Sequence, residues 1–180
     1  MLERQAVAAA MQRWGFLEDP VPEAAWRWID TFVTAYGDRE LDDARPIVAG
    51  LRAEACMIPA LELERLRSRD TLFFLDSVGQ YVDEQPELRE LPLQRDLPEI
   101  AKEFGLSQDD ALHVTRMALT GEREGPALEL LFPLLGHDRI LIRIGAVNSM
   151  LLHGRGLQPL AFGPDGKPFE PIHGERPRSG

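Results

Sequence analysis

Arg116, Gly121, Gly125, Pro126 and Leu128 are the residues of this sequence whose types and spacing suit a recognition chemistry. Arg116-Met117-Ala118-Leu119-Thr120-Gly121 reads as the end of a helix with a glycine stop, and Gly125-Pro126-Ala127-Leu128 as the start of the next. That arrangement puts Arg116 about one turn before the loop and Leu128 just after it, so both border one concave surface. Arginine presents a planar fork of donors and stacks on flat rings. Pro126 and Leu128 pack against an unstacked base, and the first turn of the second helix offers unpaired N–H groups to a phosphate or a base carbonyl. A corner of this kind supports recognition of single-stranded nucleic acid. The same residues also suit an ordinary helical corner, with Gly125 and Pro126 as helix-start residues, Leu128 in a core and Arg116 on a solvated or salt-bridged face.

Other reactive side chains are scattered. His113, His137, His153 and His173 have no ligand spacing, and Cys56 is the single cysteine, so neither a metal site nor an intrachain disulfide is expected. Asp42-Asp43 and Asp109-Asp110 are adjacent pairs that diverge around a helix and suit helix starts. Of Arg65, Arg67 and Arg69, only the first and last share a helical face, and Glu62 and Glu64 neutralise the area. No nucleophile–base pair and no nucleotide-binding glycine loop is visible, so no catalytic residue and no cofactor is expected.

The charge balance sets a limit on any nucleic-acid partner. Lys and Arg number 20 against 30 Asp and Glu, a net charge of -10 and a pI near 4.9, which is the reverse of the usual basic footprint. Lys102 and Lys167 are the only lysines, so binding of RNA would rest on a few placed arginines. Apolar runs such as Ala127 to Leu135 are far short of the ~20 residues that span a bilayer, and the first residues lack a leader-like apolar core. A cytoplasmic location with no membrane partner is the expectation.

The elements that must position these residues are helical. Val7, Ala10, Met11 and Trp14 form a stripe, as do Leu141, Ile144, Val147 and Leu151. Between them, helices are predicted from Glu23 to Tyr36, Asp42 to Glu54, Pro59 to Ser68 and Thr71 to Tyr81, with breaks at Gly15, Asp19-Pro20, Gly37-Asp38 and Gln85-Pro86. After the linker Gln85 to Pro92, a short helix from Leu97 to Phe104 closes at Gly105, Ser107 with Asp110 caps the next, and a last helix spans Asp138 to Leu152. Trp26 and Trp28 stand about 200° apart around a helix, so they cannot face the same core. Residues 156–180 are rich in glycine and proline, with a turn at Gly163-Pro164-Asp165-Gly166 that could join Leu160 to Phe162 with Lys167 to Phe169 in a small hairpin, and Glu175 to Gly180 is expected to be disordered.

Arg116-Met117-Ala118-Leu119-Thr120-Gly121, Gly125-Pro126-Ala127-Leu128 and Leu135-Gly136-His137-Asp138-Arg139-Ile140-Leu141-Ile142-Arg143-Ile144 resemble, in order, the anticodon-binding region of bacterial-type glutamyl-tRNA synthetases. Leu97 to Leu106 is similar to the short helix that precedes these segments in that family, and Gly15-Phe16-Leu17 with Tyr36-Gly37-Asp38-Arg39 is similar to the opening of its first anticodon-side subdomain. A pair of phenylalanines expected near Met57 and Ile58 is missing. The resemblance implies an all-α fold of two small helical subdomains, 1–92 and 93–153, followed by an irregular tail, 154–180. It implies that Arg116, Pro126 and Leu128, with Gly125 beside them, face an anticodon, and that the partners are a glutamate-accepting tRNA and a synthetase or other tRNA-handling protein. The His-x-Gly-His and Lys-Met-Ser-Lys-Ser signatures of the family's catalytic domain do not occur, so the chain is expected not to be an enzyme. The open alternatives are a protein-interaction module that kept the scaffold and the anticodon-binding piece of a split synthetase.

Overall fold

The computed structural model describes residues 1–54 and 56–153, and every regular element among them is a helix. In chain order these are α1 (Arg4–Arg13), α2 (Glu23–Tyr36), α3 (Leu41–Arg52), α4 (Ala60–Leu66), α5 (Arg69–Glu84), α6 (Leu93–Lys102), α7 (Gln108–Thr120), α8 (Leu128–Leu135) and α9 (His137–His153). The predicted tail, with its hairpin and its disordered end, lies outside the described residues. None of the described helices is long and apolar enough to cross a membrane.

Apolar spacing explains which faces turn inward. Val7, Ala8 and Met11 of α1, Phe74, Leu75, Val78 and Val82 of α5, and Ile140, Ile144, Val147 and Leu151 of α9 all join one buried cluster. The pair α5 and α9 makes the most extensive helix–helix contact, with Gly79 facing the Leu141 and Ile144 side chains. Helix α2 packs on α8, and there the Trp28 indole donates from Nε1 to the Leu134 carbonyl at 2.9 Å while stacking on Phe32. Trp26 turns the other way and lies 4.8 Å beneath the Arg4 guanidinium, as the angle between the two tryptophans requires.

Local signals decide most helix ends. The Ser107 hydroxyl accepts from the Asp110 N–H, Ser68 does the same for Thr71, and Gly121 closes α7 in the left-handed region at φ 71°. Starts differ from expectation by one or two residues at α3, α4, α5 and α9, and two further differences, at α6 and α8, involve a proline. Helix α6 begins at Leu93, not Leu97, because Arg95 and Asp96 both donate to the Pro92 carbonyl. Pro98 then sits inside the helix, as Pro46 does in α3 and Pro133 in α8, each removing one backbone donor at a position the flanking bonds tolerate. Helix α8 begins at Leu128, not Pro126: Ala127 is its extended cap residue, and its carbonyl accepts from Leu130 and Leu131. Gly125 and Pro126 therefore belong to the loop, which is two residues longer than the sequence suggested.

Candidate nucleic-acid interface

The α7–α8 loop forms one wall of a cleft of about 1000 Å³ that also takes in the end of α2 and one face of α3. Arg116 projects from the last full turn of α7. Its Nη1 is buried without a hydrogen-bond partner, and it lies 3.2 Å from the point where a Cβ on Gly125 would sit. A glycine at φ 155° is what lets the loop backbone pass this close to the guanidinium. Buried donors normally have partners, and among the described residues this nitrogen has none.

Arg116, Gly125 and Pro126, singled out from the sequence, line this cleft together, and Leu128 does not. Leu128 is 1% exposed and belongs to the core behind the loop, because the later start of α8 turns it inward. Sequence reasoning had not named the opposite wall as a site. Tyr36 ends an aromatic row on α2, in which Trp28 stacks on Phe32 at 5.3 Å and Phe32 meets Tyr36 at 5.0 Å. Their spacing of four residues was a readable signal for one helix face. Burial, with the nearby Glu122 carboxylate, pushes the Tyr36 phenol up, so at neutral pH it is an uncharged ring with an O–H to donate. Arg39 is exposed at the rim, while Asp38, Glu122 and Glu124 add acidic groups to the same lining.

Two buried charged groups hold the floor and the loop. Arg143 of α9 donates from Nη1 to the Leu119 carbonyl at 2.6 Å and from Nη2 to the carbonyls of Gly50 at 2.7 Å and Ala53 at 2.6 Å. One guanidinium thus satisfies carbonyls at the C-terminal ends of α3 and α7, where the helix dipoles favour a cation. Arg139 adds a bond from Nε to the Arg52 carbonyl at 2.9 Å. Burial lowers the Arg143 pKa and raises that of the neighbouring Cys56 thiol, whose Sγ lies 3.7 Å from the Ala118 carbonyl. The α7 stop packs against the same segment: a Cβ at Gly121 would lie 1.8 Å from the Met57 carbonyl oxygen.

Glu62 of α4 is the other group. Arg123 of the loop donates to its Oε1 from Nε at 2.6 Å and also from Nη2, Arg65 reaches the same oxygen at 3.2 Å, and His113 Nε2 lies 3.4 Å from Oε2. Burial alone would raise this carboxyl, but the Arg123 hydrogen bonds and charge, with Arg65 and His113, outweigh it and hold the pKa below its usual 4.5. A depressed carboxylate pKa contributes stability that is present above the unfolded-state value and lost as pH falls through the folded-state value. Glu62→Gln is therefore expected to be less stable than wild type by roughly 1–3 kcal/mol at pH 7. In urea titrations at descending pH, that difference should shrink once the pH drops below about 4.5. A difference independent of pH would assign the loss to packing.

The remaining arginines of the predicted basic stretch are engaged locally: Arg65 with Glu62, Arg67 with Glu64, and Arg69 at 5.9 Å from the Phe73 ring. Among the described residues, no group of three His, Cys, Asp or Glu side chains could hold a metal ion.

Residues 59–147, from just before α4 into α9, match the anticodon binding domain family. The chain is 24% identical over 138 residues to "Glutamate--tRNA ligase 2" of Caldanaerobacter subterraneus subsp. tengcongensis, and also 24% identical over 138 residues to "Glutamate--tRNA ligase" of Moorella thermoacetica. Each of these matches covers 74% of this chain and 28% of the relative. A shorter stretch of 40 residues is 50% identical to "Glutamate--tRNA ligase 2" of Gluconacetobacter diazotrophicus, covering 22% of this chain and 9% of that protein. The chain thus spans less than a third of the length of these relatives.

Proposed function

We propose that this chain, an all-α protein carrying an anticodon binding domain similar to that of glutamate–tRNA ligases, takes the single-stranded anticodon of a glutamate-accepting tRNA into the Arg116 cleft. It supplies recognition in support of tRNA aminoacylation in the cytoplasm. The observation that carries this reading is the buried Arg116 Nη1, which has no hydrogen-bond partner among the described residues and borders a cleft of about 1000 Å³. Tyr36 offers a ring for an unstacked base, Pro126 an apolar contact, and Arg39 a cation at the rim for the backbone.

Arg116→Ala removes the reading side chain. It is expected to weaken tRNA binding by about 1–3 kcal/mol, the range of a two-bonded base contact, with an unchanged melting temperature. The salt dependence should be shallow. With Arg39 and Arg116 as the cations offered by the cleft among the described residues, log K against log salt has an expected slope of about -1 to -2. A slope several times steeper would place binding on another surface.

A second reading rests on a different observation. The net charge of -10, with Met57 of the cleft lining 56% exposed and Leu61 of α4 72% exposed, suits a protein partner with a basic and apolar face. Under that reading a synthetase or another tRNA-handling protein remains bound after nuclease treatment, whereas the anticodon reading requires the association to be lost with the RNA.

A further inference from the structure

Glu62 is a buried carboxylate that does no recognition itself, since it lies outside the cleft lining. Its side chain is 5% exposed and is approached by Arg65 of its own helix, His113 of α7 and Arg123 of the loop. A buried ion pair is weak evidence for stability, because desolvating the charges offsets much of their attraction. In some proteins such a pair instead fixes one arrangement of the elements it joins. Here those elements are α4, α7 and the loop.

Little else holds the middle of the loop. Gly121 N–H donates to the Met117 carbonyl and Glu122 N–H to the Thr120 hydroxyl, and the next backbone anchor is the Ala127 carbonyl at the start of α8. Among the described residues, no backbone–backbone hydrogen bond ties Arg123, Glu124, Gly125 or Pro126 to the rest of the protein. Arg123 therefore stands at the point where the loop would otherwise be free. Two residues on, Gly125 passes beneath the Arg116 guanidinium.

We infer that Glu62 is a positioning residue for the cleft: through Arg123 it pins the 122–127 loop so that Gly125 and Pro126 stay seated against Arg116. This rests on the anticodon reading only for its consequence in binding; the mechanical part concerns the protein alone. Arg123 donates from Nε and Nη2 to the same Glu62 oxygen, and two bonds from one guanidinium restrict its direction as well as its distance.

The test uses the full chain and Arg123→Ala, whose side chain is 57% exposed, so that its removal opens no core cavity. Backbone 15N order parameters of Glu122, Arg123, Glu124, Gly125 and Ala127 are expected to fall from the rigid range of about 0.85 to below about 0.6 in the variant, while those of α4 and α7 stay rigid. Arg123→Lys, which keeps a charge but not the fork, should give intermediate values. Glu62→Gln should loosen the same residues. Loop order parameters that remain at wild-type values in Arg123→Ala would overturn the inference. Affinity for glutamate tRNA, measured on the same samples, is expected to drop about tenfold in Arg123→Ala with restoration toward wild type in Arg123→Lys. A loosened loop in a protein whose wild type binds no tRNA would leave the positioning role in place and remove the anticodon reading. A loosened loop with unchanged affinity in a wild type that does bind would overturn the link to the cleft.

Discussion

Arg143→Ala is expected to lower the folding stability by roughly 3–5 kcal/mol, a large part of the marginal stability of a domain this size. The substitution removes donors from the carbonyls of Gly50, Ala53 and Leu119, all served by one guanidinium. Water would have to enter a buried site to replace them, or the ends of α3 and α7 would have to move apart. Arg143→Lys should recover only part of the loss, because an ammonium cannot reach carbonyls on two helices at once as a planar fork does. Urea unfolding of the three proteins reads the order directly. An alanine variant within 1 kcal/mol of wild type would mean that the carbonyls find other donors without strain.

Gly121→Ala carries the second large effect, and Gly105→Ala is its internal control. Both glycines have φ 71°, so alanine at either incurs the left-handed penalty of roughly 1–2 kcal/mol. At Gly105 nothing lies within 4 Å of the added Cβ, and that penalty is the whole effect. At Gly121 the added Cβ would lie 1.8 Å from the Met57 carbonyl oxygen, which is main chain and cannot swing aside. The 56–58 segment must shift, taking Met57 and Cys56 of the cleft lining with it. The expected total is roughly 3 kcal/mol or more for Gly121→Ala. Equal losses at the two positions, measured by thermal unfolding, would show that the segment gives way freely.

The contrast between these glycines also shows how far the sequence could be read. Gly105 and Gly121 are both legible as stops after an apolar stripe, and Ser107 as a cap, because these signals act within one turn of chain. The start of α8 was not legible. A proline fits the first helical turn and the residue before a cap equally well, and the bonds that decide between them, Leu130 and Leu131 to the Ala127 carbonyl, leave no mark in residue type. That two-residue difference moved Leu128 from the cleft to the core while leaving Arg116, Gly125 and Pro126 together on one wall.

What local patterns could not supply is the support behind the cleft. Arg143 reaches a carbonyl 93 residues away, and Glu62 meets Arg123 across 61 residues. Arg143 stood in a stretch already quoted for its family resemblance, yet nothing in its neighbours distinguishes a buried guanidinium from a solvated one. Glu62 looked like a charge that merely neutralised Arg65. Tyr36 and Arg39 were visible as a short similar segment, and only the packing of α2 against α8, fixed by Trp28 on Leu134, brings them opposite Arg116. In each case the missing information is tertiary, because the energy that selects the pairing comes from burial of groups far apart in the chain.

The most direct measurement is a paired titration at one stated salt concentration, in which wild type and Arg116→Ala are each bound to glutamate tRNA and to the same tRNA with its anticodon swapped. Anticodon reading by Arg116 requires wild type to prefer the native RNA by about tenfold or more, and the preference to collapse in Arg116→Ala while both proteins unfold at the same temperature. A wild type that binds the two RNAs equally, or a variant that keeps the full preference, would contradict it.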